Sequence, residues 1–319
     1  MQNQNFLKNM FTGRKGRKLK EYLTAYTFIA PATILIFIFG IFPVGFALYV
    51  SLHKWRIKRS EVIGLKNYTD AIGNLAYVVV FFLGLGALLS IYFIIRKIRQ
   101  LSKDHQENPW LCILPGVINA GIAFAFLNWV YNALPEVLGI ADKLRGLERT
   151  QEVFMRLLGE AFRAETVLPA WRIFIIIFVV GLIASGLVLY FWRNPRNFEY
   201  QAYFSLVFFA FGVGVGLLYY TQQQIALAYE AAVLKDVDPG IWPQFISISA
   251  GVILLILGWL IWKRSEQVQS QLSFWLHVFA TMVLLVGGWL LIGEIPTIVA
   301  AGAEDLWEGL KGTVFFAGG

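Results

Sequence analysis

The stretch Thr24-Ala-Tyr-Thr-Phe-Ile-Ala-Pro31-Ala-Thr-Ile-Leu-Ile-Phe-Ile-Phe-Gly40-Ile-Phe-Pro43-Val-Gly-Phe-Ala-Leu-Tyr49-Val-Ser51-Leu-His-Lys-Trp55 decides the fold class. It carries no charged side chain from Thr24 to Leu52. About 20 such residues in a helix cross the roughly 30 Å hydrocarbon core of a bilayer. The basic run Arg14-Lys15-Gly16-Arg17-Lys18-Leu19-Lys20 stands just before it. Charges placed there orient a helix and attract anionic head groups. The span is too long for a secretory signal and has no small-residue cleavage site behind a short apolar region.

The rest of the chain agrees. Of 319 residues, 58% are hydrophobic and 15% charged, against about a quarter charged in a soluble domain. Mean hydropathy is +0.63. The net charge of +7 is no nucleic-acid signal, because Lys8, Arg14, Lys15, Arg17, Lys18 and Lys20 gather before the first span. A single cysteine, Cys112, excludes an intrachain disulfide and a cysteine metal cluster, and reads as a small buried apolar side chain.

Seven spans are marked by the apolar pattern: 25–51, 77–95, 110–134, 171–192, 203–220, 245–262 and 272–292. Backbone polar groups in lipid need internal partners, so each span is expected to be a helix. Trp110, Trp129, Trp171, Trp192 and Trp262 mark span ends, where amphipathic rings sit at head-group level. The expected fold is an all-α polytopic transmembrane bundle of about seven full spans plus the start of an eighth.

Orientation is read from the charges. A cytoplasmic N-terminus (basic tail, 1–23) puts Arg96, Lys97, Arg99 and Lys103, then Arg193 and Arg196, then Lys263 and Arg264 on the cytoplasmic side. One loop runs against this bias, with Lys54, Arg56, Lys58, Arg59 and Lys66 outside.

The segment Gly84–Lys97 aligns without gaps to Gly181–Asn194, and Gly251–Arg264 falls into the same register. After each come a short basic turn and a returning helix, a pattern of three helical hairpins. Ordinary cytoplasmic helix ends with aromatics and then Arg or Lys give the same pattern. Gly212, Gly214, Gly216, Gly287 and Gly288 lie at helix-contact spacing. The polar segment 141–163 puts Leu144, Leu147, Val153, Phe154, Leu157, Leu158 and Phe162 largely on one face of an amphipathic helix. It either lies on the outer membrane surface or caps the hairpins.

One family resemblance links the first span to the polar segment immediately C-terminal to it. Ala25-Tyr26, Pro31, Pro43, Tyr49, Ser51-Leu52, Trp55 and Ile63-Gly64-Leu65-Lys66-Asn67-Tyr68 resemble the opening of inner-membrane permease subunits of sugar and glycerol-phosphate ABC importers. The match covers about fifty residues. The next element of that family is similar to Glu304-Asp305-Leu306-Trp307 through Phe316, near the end of the chain. The resemblance therefore implies a permease-like segment at 24–74 and an inserted membrane module at 75–302. A second permease helix begins at 303–319. Six inserted helices, an even number, keep both pieces on the outer face. The chain stops a few residues into that helix and is expected to be the N-terminal part of a longer permease.

The resemblance also implies the partners: a second permease subunit, a cytoplasmic ATP-binding subunit and an extracytoplasmic solute-binding protein, beside the lipid bilayer. It implies translocation of a sugar or related polyol or phosphate by alternating access, in a cell membrane, with no catalysis by this chain. A multi-span scaffold or assembly protein without transport activity is the alternative, and a membrane enzyme ranks third.

The docking loop of that family, Glu-Ala-Ala with a Gly a few residues on, has an echo in Glu230-Ala231-Ala232, Asp236, Asp238 and Gly240. Its Asp-Gly pair is out of register and the charge reading puts it outside, so it is taken as coincidence. Gly13-Arg-Lys-Gly-Arg-Lys18 lacks the spacing of a phosphate loop. His277, Glu294, Asn119 and Asn128 are polar groups at or near membrane depth, for which interhelical hydrogen bonding is expected. His53 and His105 flank spans and are expected to be solvated. No catalytic, cofactor-binding or metal-ligating set emerges, and the substrate-lining residues are unknown.

Overall fold

The computed structural model describes residues 14–55, 59–146, 150–192, 194–234, 236, 238–265 and 270–293. The chain divides into two compact units, Met1–Tyr68 and Thr69–Gly319.

The first unit opens with α1 (Arg14–Ile36), a π turn (Phe37–Ile41) and α2 (Phe42–Ser51). The π turn has a local cause. Pro43 has no N–H to return to the preceding turn, and just before it Phe42 N–H bonds Phe37 O, five residues back. Most described side chains from Thr27 to Leu48 are exposed, Phe28 at 80% and Phe39 at 75%, whereas Tyr49 is buried. A helix apolar all round and this long belongs in lipid. Two strands come next, β1 (His53–Trp55) and β2 (Arg59–Val62), paired antiparallel with His53 opposite Val62. The apolar pattern does not announce them, because strands of three and four residues carry no periodicity to read. Helix α3 (Lys66–Ile72) contains the point where the second unit begins.

Among the described residues the second unit has six long apolar helices. They are α4 (Leu75–His105), α5 (Ile113–Leu138, after a 3-10 turn at Pro109–Cys112), α8 (Val167–Phe191), α9 (Asn197–Val233), α10 (Ile241–Ser265) and α11 (Gln271–Leu291). With Thr27–Ser51 they make, among the described residues, seven helices long and apolar enough to cross a membrane. The chain is an all-α multi-pass membrane protein, as its pattern of spans predicts. The eighth span expected from 303–319, and Glu294, lie outside the described residues.

Packing departs from chain order. Helices α10 and α11 pack on each other along their length. Helices α4 and α5 both take α9 as their main neighbour or one of them, and α8 lies on α5. Helix α4 also meets α10, where Asn74 Nδ2 donates to Gln244 Oε1 and the Phe81 and Phe245 rings sit 5.2 Å apart. Only the last of the three expected hairpins is thus its own packing unit.

Glycines set the closest approaches. A Cβ on Gly214 of α9 would stand 3.0 Å from Gly84 O of α4, and one on Gly288 of α11 would stand 2.8 Å from Gly251 O of α10. Gly212 faces the Phe124 ring, whereas Gly216 meets nothing within 4 Å. Burial in lipid offers no hydrophobic drive between helices, so close backbone packing takes its place.

Helix α9 spans 37 residues, about 55 Å at 1.5 Å per residue, well beyond a roughly 30 Å core. Glu230-Ala231-Ala232 lies in its last turns, not in a loop. The amphipathic segment is split. Helices α6 (Ile140–Lys143) and α7 (Gln151–Phe162) are separate, with Gly146 at φ +86° between them. Leu157 and Ala161 of α7 are buried with Ile140 against Val137 and Leu144. The Phe162 ring stacks on Trp129 of α5 at 6.1 Å. These residues of the face pack onto the end of the helices, Phe154 stays exposed, and Leu147 lies outside the described residues.

Candidate functional site

In the first unit, Ser51 ends α2 and its hydroxyl donates to Leu48 O at 2.7 Å. That proton is spent, so Tyr68 OH, 2.6 Å away, is the donor to Ser51 Oγ. Asn67 Nδ2 donates to Ser51 O at 2.8 Å. Ile63 N–H and Gly64 N–H both donate to Leu52 O, at 3.0 and 3.2 Å. The orphan carbonyls of the helix end therefore find partners in the segment that returns to them. Gly64 makes the return possible at φ +59°, a left-handed conformation that costs a side chain roughly 1–2 kcal/mol. Leu65 is buried beside it.

His53 belongs to the same cap. It is 1% exposed, its ring lies 4.3 Å from that of Tyr49, and its Nδ1–H donates to Tyr49 O at 2.7 Å. The expectation of a solvated His53 is thereby corrected: the β1–β2 turn folds it back onto α2. His105 does lie exposed, with Nδ1 3.0 Å from Leu101 O.

A second polar centre ties the second unit together. Glu107, in the turn between α4 and α5, receives Arg196 Nη1 on Oε1 at 2.8 Å and Tyr200 OH on Oε2 at 2.9 Å. Its own backbone is pinned to Ser102: Glu107 N–H donates to Ser102 O at 3.0 Å and Ser102 Oγ–H to Glu107 O at 2.6 Å. Asn194 Oδ1 accepts from Arg196 N–H at 2.7 Å, and Asn197 Nδ2 donates to Trp192 O. Partial burial opposes ionisation of Glu107, but hydrogen bonds from Asn194 and Tyr200 and the Arg196 guanidinium outweigh it and hold its carboxyl below the usual range. Tyr200, Cys112, Ile98 and Phe204 form the apolar floor beneath. Cys112 is fully buried, with Sγ 4.0 Å from Asn197 O, as its reading as a small core side chain anticipates.

Sequence reasoning missed this centre. Glu107 follows Asp104 by three residues, just past the basic stretch 96–103, and Arg196 and Tyr200 stand 89 and 93 residues away. Nothing local in the sequence marks Glu107 out from Asp104.

The other polar candidates have local roles. His277 Nδ1 bonds Ser273 O at 2.7 Å within α11, and Asn132 Nδ2 donates to Asn128 O at 2.8 Å within α5. Asn119 faces Gly181 of α8 at a helix contact. Among the described residues, no three His, Cys, Asp or Glu gather at one point.

With this geometry in place, the class is fixed: a multi-pass helical membrane protein with a hydrogen-bonded cap on its first span. No protein-family model, curated protein or solved structure matches the chain.

Proposed function

We propose that the chain acts as a permease subunit of a binding-protein-dependent ABC importer, passing a solute of the sugar, polyol or glycerol-phosphate class by alternating access. The energy would come from a separate ATP-binding subunit. One observation carries the reading. Ser51, Leu52, Gly64, Asn67 and Tyr68, five of the residues on which the resemblance rests, meet in a single cap although they are up to 17 positions apart. A chance likeness of short motifs gives no reason for the matched residues to bond one another.

In this reading the N-terminus is cytoplasmic. The charge distribution supports that orientation: Arg96, Lys97, Arg99 and Lys103 at the end of α4 share one end of the second unit with Arg196, through the Glu107 contact. The helices of that unit, poor in intramembrane charge, serve as an accessory scaffold beside the translocation core.

The test is uptake of radiolabelled sugars and glycerol phosphates by cells carrying or lacking this gene. Loss of uptake of one such solute, restored by the intact gene, supports the proposal. Unchanged uptake of all of them, with a defect only in assembly of another membrane complex, supports the scaffold alternative.

A further inference from the structure

The cytoplasm-assigned end of α4 carries two adjoining cavities that the permease reading does not use. The first, about 480 Å³, runs along one face of α4, and the described residues lining it include Tyr92, Arg96, Arg99, Gln100, Lys103 and Asp104. The three cations recur at positions i, i+3 and i+7, so they stand in one row. Among the described residues none of the three is in an ion pair, and Asp104 is the single carboxylate on the lining. The second cavity, about 260 Å³, is almost wholly apolar, with walls that include Ile98, Trp110, Ile113, Phe204 and Phe208. Ile95 and Arg99 line both. A cationic furrow therefore opens directly onto an oily groove, at the end of a membrane span.

We propose that this place binds one anionic glycerophospholipid, with its phosphate on Arg96, Arg99 and Lys103 and an acyl chain in the groove beside Trp110 and Phe204. Three cations against one carboxylate leave a net positive lining, which favours a headgroup with net negative charge over a zwitterionic one. Guanidinium groups match phosphate oxygens with paired donors. Their methylene stems lie along the apolar side while the heads reach the interface. The groove distinguishes a lipid from a free phosphate, because inorganic phosphate would leave that apolar surface unfilled. Trp110, 63% exposed, stands where an interfacial ring belongs. The inference does not depend on the transport reading.

The experiment is native mass spectrometry of the full chain, purified in detergent and incubated with dioleoyl phosphatidylglycerol or dioleoyl phosphatidylcholine. Retention of phosphatidylglycerol in at least tenfold excess over phosphatidylcholine is expected. It should fall about tenfold in R96Q/R99Q/K103Q and stay unchanged in K97Q, which alters a neighbouring charge outside the lining. R99Q alone, a milder change, should give a several-fold loss. Addition of millimolar inorganic phosphate should leave the bound lipid in place. Equal retention of both lipids, full retention by the triple variant, equal loss in K97Q, or displacement by phosphate would each overturn the proposal.

Discussion

Arg196 and Glu107, 89 residues apart, meet at 2.8 Å between Nη1 and Oε1, and this contact holds the turn before α5 against the start of α9. Tyr200 OH takes the other carboxylate oxygen. One acidic side chain thus joins two turns that the sequence shows only as separate basic loops.

That contact makes stability depend on pH with a definite sign. The carboxyl of Glu107 is held below its ordinary 4.5. A carboxyl depressed on folding contributes stability that is fully present above its unfolded value and is lost as pH falls through the folded one. The wild-type chain should therefore exceed E107Q in Tm by a constant margin from pH 7 down to about pH 5, and the margin should shrink on further acidification. A margin that grows as pH falls would show that ionised Glu107 is not the stabilising form.

Neighbouring glycines on α9 should respond differently to the same substitution. In G214A the new methyl would meet Leu88 at 2.7 Å and Gly84 O at 3.0 Å, and overpacking of this kind costs about 1–3 kcal/mol. In G216A the methyl meets nothing within 4 Å and the change should be neutral or slightly stabilising. Thermal unfolding in detergent separates the two, and equal shifts would contradict the close α4–α9 approach.

The cap of the first span rests on Gly64 and Tyr68. G64A places a side chain at φ +59° and should cost about 1–2 kcal/mol. Y68F removes the hydroxyl 2.6 Å from Ser51 Oγ and should cost about 1 kcal/mol. Proteolysis within the 53–62 segment should become faster in both. An unchanged cleavage rate in G64A would deny that the cap orders that segment.

Membrane topology is open to direct labelling. With Cys112 replaced by Ala, a cysteine at Asp104 should react only from the cytoplasmic side, and one at Asp238 only from outside. Reversed labelling would overturn the proposed orientation, and with it the assignment of Glu230-Ala231-Ala232 to the outer side.

The range of the forces involved decides which features were legible in sequence. Spans are written in composition, so 171–192 and α8, or 272–292 and α11, agree closely. The ends were less legible: α4 continues to His105 and α9 to Val233, because their more polar continuations end the apolar pattern yet still form helix. The Gly214–Gly84 approach was half visible, since small residues can be spotted but not their partners. Gly216 carried the same signature and faces open space. Glu107 with Arg196 and Tyr200 was invisible, because nothing local in sequence pairs residues 89 and 93 positions apart. His53 misled for the opposite reason: a polar residue just past a span reads as solvated unless the β1–β2 turn that buries it is seen.

The permease proposal is tested most directly by purifying the chain from its own membranes in mild detergent and quantifying what accompanies it by mass spectrometry. The account predicts a nucleotide-binding subunit in near-stoichiometric amount, a second multi-span subunit, and ATP hydrolysis by the assembly that rises when its solute-binding protein is added. Recovery of the chain in a stable assembly that contains no nucleotide-binding subunit and hydrolyses no ATP would contradict it.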